Sequence, residues 1–482
     1  MTETSNQPPN NPNRSARARI AVALLALVLA SSAPWARADD TAPIPERPPI
    51  LFNRWQEDWS VLDDPRVPRQ PFDSLKYIPL SATDPKTYLS FGADTRERFE
   101  TNSTQGFGTG PNRDQNYVIS RTEWHADLRI ASQVQIFTQF QSDWAPWKTM
   151  LTPVDVNHLD LEQAFVALTE PVGDGTLKLR VGRQQFSFDL ARFVSVRDGP
   201  NVRQSYDAGW ADYENGPWRF IGFYSHPVQV QDNTVFDDYS NNRLTFGGTR
   251  VERKLSESTN ITAYYANFTQ ADVHFPNASG DERRDVFDIH VNGAANHFDW
   301  DVEGMEQIGR IGADPIQAWA FGSLTGYTLA GIDWSPRLGI QFDAASGDRG
   351  STSHSFGTFN PLFPNGYYVT LAGYTGYVNF IHVKPSLTLH PSPEVKVMLA
   401  MASQWRETTA DAVYTQPDIP IANTAGRPGR YTGSYGQLRI DMDIDRATSV
   451  AVEAVHFAIG DALRNAGGHD SNYLGVEIKR GW

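Results

Sequence analysis

The stretch Tyr117–Ile130 reads YVISRTEWHADLRI, and its alternation decides the fold. Val118, Trp124, Ala126, Leu128 and Ile130 fall on one face. Arg121, Glu123, His125, Asp127 and Arg129 fall on the other. Successive side chains of a strand point to opposite sides, so this is a β-strand with one apolar and one charged face. The same period runs through Tyr88–Glu100, where Leu89, Phe91, Ala93 and Phe99 oppose Asp94, Arg96 and Arg98. In Val134–Trp144, Val134, Ile136, Phe140 and Trp144 oppose Gln135, Gln139, Gln141 and Asp143. In a later strand, Leu438, Ile440 and Met442 oppose Gln437, Arg439 and Asp441. Strands of about ten residues with this two-sided character are the mark of a membrane barrel around a polar lumen. A soluble sandwich has shorter strands and a less charged polar face.

The connections alternate in the same sense. Tight ones are expected at Ala131–Gln133, Glu170–Gly175, Glu214–Pro217, Leu255–Thr259, Ala295–His297, Ile332–Pro336, His390–Pro393 and Ile444–Thr448. Longer polar ones are expected between them, including Thr101–Gln115, Ala145–Leu159, Asp189–Arg203, Pro227–Asn241, Gln270–Arg283, Gly309–Pro315, Ser346–Thr375, Glu407–Thr432 and Gly460–Ser471. Short turns on one side of a membrane and long loops on the other follow from strands that run up and down. The pattern predicts an all-β fold: a single antiparallel transmembrane β-barrel of about 18 strands, an even number as this class requires. The last strand, Asn472–Trp482, places Leu474, Val476, Ile478 and Trp482 toward lipid and Glu477 and Lys479 toward the lumen. It ends on an aromatic, as outer-membrane barrels do when they present their final strand to the barrel-assembly machinery.

The N-terminus fits that destination. Arg14, Arg17 and Arg19 precede the apolar run Ile20–Ala30, and Ala36-Arg37-Ala38 follows, so residues 1–38 read as a secretory signal cleaved near Ala38. The run is too short to span a bilayer, for which about 20 residues are needed. The leader holds four arginines and one glutamate, so its loss takes the formal charge from -14 to about -17. Cysteine is absent, which excludes disulfides, thiolate metal sites and a cysteine nucleophile. Residues 39–87 form a Pro-rich irregular lead-in, because proline lacks the donor a sheet interior needs. Phe52, Trp55 and Trp59 give it something to bury, whether it lies in the periplasm or plugs the barrel. Residues 88–482 are the barrel.

Against this acidic background, Arg180–Asp207 (RVGRQQFSFDLARFVSVRDGPNVRQSYD) is locally basic. It carries Arg180, Arg183, Arg192, Arg197 and Arg203 with Asp189, Asp198 and Asp207. Gly199, Pro200 and Asn201 mark a tight non-helical loop between two strands. Arginine is a planar fork of donors suited to carboxylates, so the block is either a bracing ion-pair network or an anion-handling surface.

Several blocks resemble the alginate-export family of outer-membrane proteins: RWQEDWSVLDD (54–64), LKYIPL (75–80), SFGADTRERFE (90–100), VGRQQF and RDGPNVRQSYD within 181–207, ASGD with GTFNPLFPNG (345–348, 357–366), and KPSLTLHP (384–391). The resemblance implies an 18-stranded barrel with an arginine-lined conduit for an acidic polysaccharide. It would place Arg183, Arg192, Arg197 and Arg203 along that conduit; Arg96, Arg98, Arg337 and Arg439, which face the lumen, are expected to join them. Asp189, Asp198, Asn201 and Asp207 would gate the arginines or hold them in position. Arg121, Arg129 and Lys384 also face the lumen. The lumen acids Asp94, Glu123, Asp127, Asp143 and Asp441 argue against a uniformly cationic pore.

The remaining motifs are plain. Trp144, Trp147, Trp218, Trp300, Trp319 and Trp482 sit near strand ends, where aromatic girdles meet the lipid interface. Asp343 and Asp348 in DAASGDRG are hard oxygen ligands, but the loop lacks the spacing of an EF-hand. His125, His290, His382 and His456 show no metal-binding spacing, and Ser386 near His382 and His390 is not a nucleophile elbow. No cofactor and no enzymatic activity are expected, and the acidic balance disfavours nucleic acid. The expected partners are outer-membrane lipids and an anionic saccharide or small anionic solute. The alternative is a small-solute porin in which the arginines are structural, and a third class is a secreted all-β enzyme or adhesin.

Overall fold

Alternation becomes a wall when each strand finds a partner on both sides. The computed structural model describes residues 43–110, 114–350, 354–416 and 418–482; the expected signal peptide and its cleavage point lie outside them. Eighteen strands form one closed antiparallel barrel. They are β1 (Tyr88–Ser103), β2 (Gln115–Ile130), β3 (Val134–Trp144), β4 (Asn157–Val172), β5 (Gly175–Gln184), β6 (Tyr206–Asn215), β7 (Trp218–Gln229), β8 (Leu244–Ser256), β9 (Thr259–His274), β10 (Ser279–Ala295), β11 (Phe298–Ile311), β12 (Asp314–Thr328), β13 (Arg337–Ala345), β14 (Phe380–Ser392), β15 (Val395–Trp405), β16 (Tyr431–Asp445), β17 (Thr448–Ile459) and β18 (Ser471–Gly481). Each pairs with its sequence neighbour, and β18 closes on β1 from Asp94↔Gly481 to Ser103↔Asn472. Closure leaves no open edge, which a backbone in lipid requires.

The two faces separate as the alternation demands. Trp124, Ile136, Val166, Val181, Phe220, Ile289, Ile340, Met401 and Ile478 are exposed on the outer wall. Arg96, Arg98, Arg121, Glu123, Gln139, Glu303 and Glu453 are buried inside it. Trp144, Trp147, Trp218 and Trp319 are exposed as a girdle needs, but the Trp482 ring lies 4.9 Å from that of Phe72, against the lead-in.

Two connections differ from expectation. Residues 270–283 are mostly strand: β9 runs to His274 and β10 starts at Ser279. Gly309–Pro315 is also strand, broken only by a two-residue turn in which Gly312 takes φ +54°. Glycine and proline read there as breakers. Gly309 instead permits close strand approach, since a Cβ at that position would stand 2.0 Å from the Arg283 carbonyl.

The interior is filled from both directions. The β5–β6 loop (185–205) and the β13–β14 loop (346–379) fold inward and meet at a parallel bridge between Val194 and Phe363. Phe186, Phe193, Phe359, Phe363 and Tyr377 form their shared apolar core. From the short-turn end, the lead-in enters against the wall. Arg54 donates to the Asp94 carboxylate at 2.5 Å and to the Trp482 carbonyl at 2.7 Å. Arg129 donates to the carbonyls of Trp55 and Glu57 at 2.7 and 2.8 Å. Trp59, Leu62, Val67, Tyr77 and Tyr88 close a small core behind it.

Candidate functional site: the constricted lumen

The inward β5–β6 loop is fastened at both ends of its crossing. At one end Asp198 is a hub: Arg121 and Arg203 bond one of its oxygens, the latter at 2.9 Å, and Lys479 reaches the other at 3.3 Å. Arg203 also reaches Glu123 at 2.7 Å. Arg96 donates to the loop carbonyls of Asp198 and Pro200 at 2.6 and 2.8 Å. Asn201 returns three bonds, from one amide nitrogen to the carbonyls of Ser120, Trp144 and Asp155. Burial works to raise the Asp198 carboxyl, but the surrounding cations outweigh it and hold the group well below the usual carboxylate range.

At the other end, Asp189 takes both terminal nitrogens of Arg250 at 2.7 Å. His290 bridges Asp189 and Asp301 at 2.7 Å each. Arg192 pairs with Glu303, with Asp301 at 3.1 Å and with the Tyr368 hydroxyl at 2.7 Å. In a ring of eighteen, β10 stands opposite β1, so the loop spans the lumen and is held by ion pairs on both walls. A buried charge is tolerated only when it is paired in this way.

The remaining predicted site residues separate into four places. Arg98 lies inside, on Glu100 at 2.8 Å and on Glu453 and Glu477, with its guanidinium over the Tyr367 ring. Arg197 lies in the loop, donating to the Leu362 carbonyl at 3.3 Å and covering the Phe363 ring. Arg337 pairs with Asp299, and Arg439 with Asp441 and Glu453, nearer the short-turn end. Arg183 and Asp207 are not in the lumen. They pair at 2.9 Å beneath the β7–β8 loop (230–243), and Arg183 shares the parity of the outward Leu179 and Val181. The parity follows from strict alternation along β5: Lys178, Arg180 and Gln184 take the inward positions, which leaves Arg183 on the outer wall.

Lys384 donates to the Val369 carbonyl at 3.1 Å, and Arg129 serves the lead-in. Asp343 accepts from His382, Gln341, Tyr368 and Tyr377, and Asp348 from Asn277, Gly350 and Gly357. The two aspartates are therefore satisfied separately and do not form a common cation loop.

A cavity of about 310 Å³ is bordered by Arg96, Arg121, Arg203 and Lys479, and a larger one of about 490 Å³ lies between the lead-in and the inward loop, a size typical of small-molecule sites. Lys178, Arg180, Arg219 and Arg250 border it, with Asp189, Asp212, Glu252 and Asp301. Arg180 stands out. Its guanidinium stacks on Trp55 at 4.5 Å and faces Trp210 at 5.7 Å. Among the described residues it has no ion-pair partner, and one terminal nitrogen has no hydrogen-bond partner. None of the arginines expected to line the conduit borders this larger cavity. The signal for those that do was the inward parity of Lys178 and Arg180, in the same block that drew attention to Arg183.

A family model described as alginate export matches residues 87–477. No curated protein matches the sequence. Among solved structures, the chain is similar to OccAB3 of Acinetobacter baumannii, with TM-score 0.57 and 10% identity over 82% of this chain and 99% of that one. It is similar to a BenF-like porin from Pseudomonas fluorescens Pf-5, with TM-score 0.56 and 9% identity over 82% and 99%. OpdO of Pseudomonas aeruginosa gives TM-score 0.54 and 10% identity over 82% and 97%. At such identities the likeness speaks for the barrel fold.

Proposed function

The chain belongs to the alginate-export family, and on that footing we propose that its lumen passes an anionic, uronate-type saccharide or small anionic solute. The protein is a non-enzymatic channel of the bacterial outer membrane. The solute would travel past Arg180, with Lys178, Arg219 and Arg250 as further contacts and the indoles of Trp55 and Trp210 as faces for a sugar ring. The observation that carries this reading is Arg180: a buried lumen arginine without a carboxylate, beside an open cavity. A fixed positive charge in a narrow, partly dehydrated passage favours anions, and weak binding at each step lets them leave.

The arginines first placed in the conduit support a second, plainer reading. Arg96, Arg98, Arg192 and Arg203 are held by carboxylates and carbonyls, which suits a brace around a small-solute porin. The test is reversal potential in a salt gradient across planar bilayers, with and without galacturonate. Arg180→Gln is expected to lower anion selectivity and weaken galacturonate block. A variant indistinguishable from wild type would overturn the anion track and leave the porin reading.

Two further assignments belong to the same proposal. The leader is cleaved near Ala38, and β18, closing on β1 and ending at Trp482, is the strand read by the barrel-assembly machinery.

A further inference from the structure

The solute pathway does not account for a group of acids where the inward loop meets the wall. One carboxylate oxygen each from Asp189 in the loop, Asp288 in β10 and Glu303 in β11 lies within 4.8 Å of the others. Two of the three acids are engaged, Asp189 by Arg250 and His290 and Glu303 by Arg192. Asp288 is not. Its residue is 2% exposed, and neither of its oxygens has a hydrogen-bond partner. Tyr264 stands directly opposite Asp288 in the β9–β10 register, and its buried hydroxyl is partnerless as well.

Buried carboxylates are stable when they are paired, protonated or bound to a metal. Arg192, Arg250 and His290 are the cations paired here with Asp189, Asp301 and Glu303, and Asp288 is a fourth acid beside them, so the group keeps a negative charge even with His290 protonated. The donors are all oxygen, which suits a hard cation rather than zinc or copper. Carboxylates able to bind through one or both oxygens, in no fixed octahedron, suit calcium better than magnesium.

We propose that Asp189, Asp288 and Glu303, with the Tyr264 hydroxyl, bind a calcium ion that ties the constriction loop to β10 and β11. Asp288 supplies both oxygens, Glu303 the oxygen not used by Arg192, and Asp189 the link to the loop. The backbone at that link is strained: Asp189 and Ala191 hold φ +52° and +57°, a region that non-glycine residues rarely occupy. An ion at this point would hold the strained turn in place, and with it the neighbouring Arg192. Its removal would loosen the loop and make the pore noisier.

The test uses the mature barrel, refolded free of lipopolysaccharide, stripped with EDTA and titrated calorimetrically with calcium chloride, then with magnesium chloride. Open-channel noise is recorded in parallel. One calcium per barrel is expected, with weaker magnesium binding and a quieter pore in calcium. Asp288→Asn is expected to weaken calcium binding at least tenfold, whereas Asp237→Asn, in the separate acidic group of Asp160, Asp237 and Asp238, leaves it unchanged. If Asp288→Asn does not assemble, the wild-type titration and Tyr264→Phe decide. A wild-type barrel that takes up no calcium, or a calcium signal that follows Asp237 instead, overturns the assignment. A barrel that takes up a proton at this group but no calcium at neutral pH would assign the group to a shared proton.

Discussion

At the scale of single residues, lumen charge here is mostly structural. Asp198 shows why. It receives Arg121, Arg203 and Lys479, and Arg121 is fully buried. Removing one partner of a buried ion pair costs about 3–5 kcal/mol, because the remaining charge is left without compensation. Asp198→Asn is therefore expected to release the loop tip rather than to change selectivity alone: conductance rises, and the barrel unfolds at lower temperature when heat-shifted mobility is followed on gels. Unchanged conductance would mean that Asn201 and the carbonyl contacts of Arg96 hold the tip without the charge. Parity in the sequence places Arg96, Arg98 and Arg121 inside, and they are inside. Parity says nothing of cross-strand partners: beside its strand neighbour Glu100, two of the acids that pair with Arg98 lie in β17 and β18, at the far end of the chain. That is why the carboxylate-paired arginines and Arg180, which has no ion pair, look alike in sequence.

At the scale of elements, strands were legible and inward loops were not. A strand's alternation is local, whereas the meeting of Val194 with Phe363 depends on two loops crossing the same lumen. The β7–β8 loop is a third case. It doubles back so that Tyr239–Ser240 pairs with Val228–Gln229, and it covers Arg183 and Asp207 from outside. Its Asp238 carboxyl is pushed up to about 7 by burial and by the charge of nearby Asp160. The ordinary value of such a group is near 4. A carboxyl whose folded pKa is raised favours the docked loop fully below its unfolded pKa, and the benefit is lost as pH rises through about 7. Hydrogen exchange of residues 230–243, corrected for intrinsic rates, is expected to be slower at pH 5 than at pH 8. Asp238→Asn is expected to abolish the difference. Equal protection of the wild type at both pH values would show that this carboxyl does not control the loop.

At the scale of the whole molecule, the barrel is blocked from two sides, by its own loops and by the lead-in. The lead-in is the more separable obstruction. It precedes β1, among the described residues joins the sheet only through Ile78↔Leu89 and Pro79↔Tyr88, and leaves every barrel pairing intact if it is lifted away. Its attachment is of two kinds. Arg54, Arg129 and Gln135 make polar contacts across the mouth, while Trp59 anchors an apolar cluster with Leu62, Val67, Tyr77 and Tyr88. Truncating a buried tryptophan to alanine costs about 3–5 kcal/mol. Trp59→Ala is thus expected to undock the lead-in without unfolding the barrel. The open cavity beside Trp55 would then join the periplasmic solvent, and the conductance of the refolded protein would rise. Arg180 would also lose the indole that covers it, so galacturonate block should become weaker and faster to reverse. Limited proteolysis separates the possible causes: cleavage confined to residues 43–87, with the barrel intact, accompanies undocking. If the lead-in is released by protease while conductance stays at the wild-type level, the inward loops alone set the width of the pore.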